Sequence, residues 1–146
     1  MFYADTTVIV KLYVKEGHSL EVSDWLRENN EAIPLTKFHE LEFINAINLK
    51  QFRNEITIDD VRLIISKFND HEKRGIFYRP QIDWTNIFLN AIELSKNHTK
   101  DIGSRSLDIL HVAAALSIKA DQFLTFDERQ SKLAFLAGFK VNPWSI

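Results

Sequence analysis

One stretch constrains the fold of this chain more than any other: Arg105-Ser106-Leu107-Asp108-Ile109-Leu110-His111-Val112-Ala113-Ala114-Ala115-Leu116. Good helix formers fill its body and Ser106 is available as an N-cap, so it reads as a helix. From Leu107 to Ile118 almost every side chain is apolar. Leu107, Leu110 and Ala114 share one face, and Ile109, Val112, Ala113 and Leu116 cover most of the rest. A helix that is apolar nearly all round belongs in an interior and needs neighbours on several sides. Yet its first turn carries Asp108, with His111 one turn later on the same side. A lone buried carboxylate costs several kcal/mol unless something compensates it. Opposing the helix macrodipole gives Asp108 one ordinary role, worth about 0.3–1 kcal/mol. Other acids in comparable positions would give it another.

The rest of the chain supplies the neighbours. Phe2-Tyr3-Ala4 reads as a short buried strand ending on Asp5, and Thr6-Thr7 can cap a helix through Tyr13. Gly17 breaks that pattern before an amphipathic helix from Ser19 to Arg27. Ala32-Ile33-Pro34-Leu35 is a weak strand, with Pro34 placing it near an edge or an end. Thr36 opens a helix to about Phe52, and Thr57 caps another from Ile58 to about Glu72. Ile76-Phe77-Tyr78 reads as a strand. Asp83 caps a helix to Lys96, and the polar segment Asn97 to Ser104 reads as a loop. After the central helix come a strand from Asp121 to Phe126, a helix from Asp127 to Ala137 closed by Gly138, and a last strand, Phe139-Lys140-Val141. Strands alternating with helices predict a parallel sheet covered on both faces, a three-layer α/β/α sandwich. The two long helices between the second and third strands would form a hairpin at one edge.

The 146 residues suit one domain spanning 1–146. No apolar run approaches the roughly 20 residues of a membrane span. Asp5 and Lys11 interrupt the N-terminal apolar segment, which is therefore no signal peptide core. With no cysteine there are no disulfides or thiolate metal sites, and a cytoplasmic protein is the simplest expectation. The net charge of −2 lacks the basic excess of a protein that holds nucleic acid by charge alone. Any such contact would need local cations.

In an open α/β sheet the ligand site lies beyond the carboxyl ends of the strands. Asp5 closes the first strand, Asp127 follows the Phe123–Phe126 strand, Asp108 opens the central helix, and Glu42 sits in the apolar turn Leu41-Glu42-Phe43-Ile44. Each has an ordinary alternative as a cap or solvated side chain. Packed together, the four would repel strongly. A hard divalent cation, Mg²⁺ or Mn²⁺, relieves that repulsion and prefers carboxylate oxygens. The five histidines show no zinc-ligand spacing.

Asp5-Thr6-Thr7 is similar to the N-terminal Asp-Thr-Ser motif of the PIN-domain proteins. Residues 35–46 resemble the Glu-bearing helix of that family, and 105–113 its third motif. Residues 123–130, followed by Ala137-Gly138-Phe139, resemble its fourth. The resemblance is to the VapC-like ribonuclease toxins of bacterial toxin–antitoxin pairs in particular. It implies an α/β/α fold and a Mg²⁺- or Mn²⁺-dependent endoribonuclease. Carried over by motif, Asp5, Glu42, Asp108 and Asp127 form the acidic cluster, with Asp5 and Asp108 as direct ligands. Thr125 would orient a carboxylate or a metal-bound water. Thr6, Arg105 and Arg129 would meet the RNA substrate. Glu40 and Glu42 project about 200° apart from their helix, so only one can face a site, and Glu42 matches the motif.

His111 reads as a satisfied structural histidine, and His18, His39, His71 and His98 as residues in polar surroundings without chemistry. Trp25, Trp84 and Trp144 read as core residues. The apolar face of the fourth helix (Val61, Leu63, Ile64, Ile65, Phe68) could complete the core, build a homodimer or receive an antitoxin segment, and the resemblance implies the latter two. Two rivals remain. One is a PIN-like scaffold that binds RNA or a protein without cutting. The other is an aspartyl-nucleophile phosphatase, which would want Asp-x-Asp where Thr7 stands.

Overall fold

A computed structural model describes residues 1–144. The elements run β1 (Phe2–Ala4), α1 (Thr6–Val10), α2 (Ser19–Asn29), β2 (Ile33–Pro34), α3 (Lys37–Phe52), α4 (Ile58–Lys73), β3 (Phe77–Tyr78), α5 (Trp84–Ile102), α6 (Ser106–Ser117), β4 (Gln122–Leu124), α7 (Glu128–Leu136) and β5 (Lys140–Val141). The chain divides into two compact units, Met1–Asp5 with Pro80–Ile146, and Thr6–Arg79. Every strand pair is parallel, as the α/β alternation requires.

The first unit carries the sheet β1-β4-β5. Tyr3 lies opposite Phe123 and Ala4 opposite Leu124. β1 is wholly buried, as expected of a parallel strand. The ladder continues one residue past β1, because the Asp5 amide donates to the Leu124 carbonyl at 2.9 Å. That bond fixes Asp5 just beyond the strand end. α6 is buried without interruption from Ile109 to Ala115, whereas Leu107 in its first turn is exposed. The apolar wrap therefore begins after the turn that holds Asp108.

The second unit pairs β2 with β3. Pro34 costs no ladder bond, since the amides on either side, Ile33 and Leu35, donate to Ile76 and Tyr78. α3 and α4 form the expected hairpin. Each opens on a threonine whose hydroxyl accepts from the amide three residues on, His39 for Thr36 and Asp60 for Thr57. Phe43 and Phe68 stack across the hairpin at 4.3 Å between centroids, with Tyr13 edge-on to Phe43. Of the fourth-helix apolar residues, Val61, Ile64 and Phe68 are buried and Leu63 is exposed.

Four local expectations need correction. α1 stops at Val10, not Tyr13: Leu12 and Tyr13 donate to carbonyls three residues back, tightening the chain after the β-branched run Val8-Ile9-Val10. α5 continues through the polar segment expected to be a loop and ends at Ile102, where Gly103 at φ 72° caps it. Polarity there marks an exposed face rather than a break. The N-cap of α6 is Arg105, and Ser106 is already helical. β4 is shorter than expected, because the Thr125 amide leaves the ladder for the Asn142 side chain at 2.9 Å. Among the described residues no helix is long and apolar enough to cross a membrane.

Candidate active site

In the first unit, Asp5 and Thr125 meet. Both are buried, Asp5 only 4% exposed, and the Thr125 hydroxyl donates to Asp5 Oδ2 at 2.8 Å. The same hydroxyl stands 2.5 Å from Gln130 Oε1 and accepts from the Asp127 amide at 3.0 Å. Gln130 was not anticipated. It lies on the inward face of α7 with Leu133 and Ala134, and its Nε2 donates to the Asp108 backbone carbonyl at 3.3 Å. The only sequence signal for it is a glutamine at apolar spacing, i, i+3, i+4, in a helix otherwise patterned for the core.

Asp127 is the N-cap of α7, accepting from the Arg129 and Gln130 amides with Oδ1. Its Oδ2 accepts from Arg105 at 3.3 Å, and Arg105 also holds both oxygens of Asp108, at 2.8 and 3.4 Å. The two carboxylates are thus joined through one guanidinium that stays 65% exposed. The Arg129 guanidinium donates to the Gly103 carbonyl at 3.4 Å, tying α7 to the turn before α6.

In the second unit, the Thr6 hydroxyl donates to Glu42 Oε2 at 2.5 Å. Glu40 is engaged elsewhere, by Lys37 and Arg79 at 2.9 Å each. The Lys37 hydrogen bond, with the Arg79 charge, holds the Glu40 carboxyl below its ordinary range although partial burial opposes this. The two glutamates therefore have separate partners.

His111 is buried, and its Nδ1 lies 2.8 Å from the Tyr3 hydroxyl, a structural bond from α6 to β1. Two of the histidines expected in polar surroundings make specific contacts inside the fold. His39 is fully buried and its Nδ1 accepts from the Thr36 amide, completing the α3 capping box. His71 Nδ1 meets the Tyr13 hydroxyl at 2.7 Å, and burial pushes that phenol above its ordinary pKa. Trp25, Trp84 and Trp144 are half-buried rather than core residues, and Trp144 stacks on Phe126 at 5.1 Å.

The donors in the first unit are hard oxygens, which suit Mg²⁺ or Mn²⁺. Among the described residues no three His, Asp or Glu side chains form a ready-made cage. The side chain between Asp108 and Asp127 is Arg105, so a cation would have to take over the charge balance that Arg105 now provides.

A parallel α/β unit that presents carboxylates beyond its strand ends defines a class of domain with a polar, anionic face there. A family model described as the PIN domain matches residues 2–136. The chain belongs to the PIN domain family. Among solved structures it is similar to that titled "Crystal Structure of FitAcB from Neisseria gonorrhoeae", at a TM-score of 0.65 and 17% identity over 100% of both chains, a likeness of fold. Comparison with curated proteins gave no significant match.

Proposed function

We propose that this chain is a metal-dependent endoribonuclease acting as one PIN-like domain, the toxin of a toxin–antitoxin pair. The observation that carries the reading is the linkage of Asp5, Asp108 and Asp127 through Thr125, Gln130 and Arg105 at the strand ends. Family membership supports nuclease chemistry. In this reading Asp5, Asp108, Asp127 and Glu42 hold Mg²⁺ or Mn²⁺, with Asp5 and Asp108 as direct ligands. When bound, such an ion supplies a polarised phosphate and a water acidic enough to attack it.

The chain's own groups do the rest. Thr125 orients Asp5, and Thr6 orients Glu42. Arg105 is exposed enough to release its carboxylates and pair with a phosphate of the RNA, and Arg129 lies in the first turn of α7, two residues past Asp127. Multiple cation–phosphate contacts place the strand without reading its bases. A small antitoxin and a second copy of the chain are the proposed protein partners, and the cytoplasm the proposed setting.

The test is RNA cleavage by purified protein with Mg²⁺ or Mn²⁺, with EDTA, and in Asp5→Asn. Cleavage that requires the cation and disappears in the variant supports the reading. Unchanged cleavage in Asp5→Asn overturns it. One observation favours a non-cutting scaffold: Arg105 already neutralises Asp108 and Asp127. RNA that is bound yet intact after incubation with Mn²⁺ selects that alternative.

A further inference from the structure

Gln130 is 1% exposed and is bonded to the segments that carry Asp108 and Asp127 and, through Thr125, to Asp5. Its backbone amide donates to Asp127, its Nε2 to the carbonyl of Asp108, and its Oε1 faces the hydroxyl that holds Asp5. The orientation of its amide follows from chemistry. The Asp108 carbonyl has no proton to give, so it requires the NH₂ end, and Oε1 is left for Thr125.

Thr125 then faces a proton conflict. Its hydroxyl has one proton, and two oxygens lie within reach of it, Asp5 Oδ2 at 2.8 Å and Gln130 Oε1 at 2.5 Å. Its acceptor side is already used by the Asp127 amide. The single proton can satisfy only one of the two at a time. An anionic carboxylate is the stronger acceptor while it is free to accept. Once Asp5 Oδ2 gives electron density to a cation it becomes a weaker acceptor, and the nearer Gln130 Oε1 becomes the better partner for the hydroxyl.

We propose that Gln130 is a positioning residue for the metal site: it accepts the Thr125 hydroxyl hydrogen bond when Asp5 engages a cation, and thereby relieves Asp5 Oδ2 of that one bond. The hydroxyl rotates between two acceptors already in place, so the exchange needs no movement of the Thr125 or Gln130 heavy atoms. The amide also ties α7 to the first turn of α6, which keeps Asp108 in register with Asp5. This rests on the proposed metal-dependent reading of the same acids.

The experiment is a Mn²⁺ titration of the full chain, read by loss of the free-ion EPR signal, in the parent and in Gln130→Met. Methionine is near in length and apolar, so it fills the space without accepting a proton. The expected result is Mn²⁺ binding weakened about tenfold, a difference of about 1.4 kcal/mol, with melting temperature changed by only a few degrees. In a Thr125→Val background, which has no hydroxyl proton to rehouse, Gln130→Met should weaken binding far less. A purely structural role would add in full in both backgrounds. Should Gln130→Met not fold, the parent still decides. Its Gln130 side-chain amide resonances should shift with added Mg²⁺ at the midpoint of metal binding. Equal Mn²⁺ affinity in folded Gln130→Met, or amide signals indifferent to Mg²⁺, overturns the proposal alone. A parent that binds no Mn²⁺ removes the proposal together with the metal-dependent reading.

Discussion

Two arginines in this protein each bridge two carboxylates, and they do it differently. Arg79 grips Glu72 with two bonds, of 2.6 and 2.9 Å, reaches Glu40 at 2.9 Å, and donates to the Thr36 carbonyl at 3.5 Å. It is 32% exposed, and it links the end of β3, the start of α3 and the last turn of α4. Arg105 is 65% exposed, and its contacts to Asp108 and Asp127 stretch from 2.8 to 3.4 Å. Bidentate, half-covered pairing fixes a fold, whereas a loose and solvated bridge can be exchanged for another cation at little cost. The same three charges thus make a clamp in one place and a displaceable counter-ion in the other. The clamp sits on acids with no proposed chemistry. The loose bridge sits on the proposed metal ligands.

The largest effect expected from this contrast is on RNA cleavage. Asp108→Asn removes one proposed ligand, while Glu40→Gln removes an acid of the clamp. With Mg²⁺ supplied, cleavage should fall on the order of hundredfold or more in Asp108→Asn, reflecting several kcal/mol of electrostatic stabilisation. It should stay within about twofold in Glu40→Gln. A gel assay at equal protein concentration reads both. Equal losses would erase the distinction between the two bridges.

Next comes stability. Arg79→Met leaves Glu40 and Glu72 facing each other without their shared cation. Partly exposed pairs are worth about 0.2–1 kcal/mol each, so the two together predict about 1 kcal/mol. That corresponds to a fall of roughly 2–4 °C in melting temperature for a protein of this size. Arg105→Met should lower it by less than about 1 °C, as expected for a solvated bridge. Calorimetry on the two variants tests the ranking, and a larger loss at Arg105 would reverse it.

The same contrast shows what a sequence can disclose. Four caps were legible, unlike that of α6, because a side-chain cap is a local device: Thr36, Thr57, Asp83 and Asp127 each accept from an amide two or three residues on. Asp5 at the end of β1 was legible from the apolar run before it. The partners that give these residues their roles are distant in sequence. Thr125 reaches Asp5 across 120 residues, Thr6 reaches Glu42 across 36, and Arg105 reaches Asp127 across 22. Gln130 and His39 were hidden for another reason. Polar side chains on inward helix faces look like surface residues until their hydrogen bonds are seen. The last turns of α5 were hidden because apolar periodicity, the main helix signal, stops before the helix does.

Acid should weaken the clamp in a defined direction. The Arg79 hydrogen bonds hold the Glu72 carboxyl below its ordinary value of 4.5, and the Lys37 bond with the Arg79 charge does the same for Glu40. A carboxyl with a lowered folded-state pKa stabilises the fold above the unfolded value and loses that contribution as pH falls through the folded one. The stability gap between parent and Arg79→Met should therefore be full near pH 7 and shrink below about 4.5. Denaturant midpoints at pH 7 and pH 3.5 check it. A gap that stays the same in acid would assign the Arg79 effect to packing rather than charge.

The smallest effect is the most direct probe of exchange at Arg105. In Arg105→Met, Asp108 and Asp127 lose their fixed counter-ion, and like charges then favour any cation that enters between them. Mn²⁺ binding should become tighter by about two- to fivefold, a fraction of the coupling expected between partly exposed charges. RNA binding should move the opposite way. The loss of one phosphate contact lowers the slope of log affinity against log salt by about 0.7 for a single strand. One substitution thus improves the metal site while weakening the substrate site, a combination that neither general destabilisation nor simple charge loss produces. Mn²⁺ titration by EPR and RNA binding by filter retention at several salt concentrations read the two halves separately. If both affinities fell together, Arg105 would be a structural clamp like Arg79, and the difference between the two bridges would lie only in their exposure.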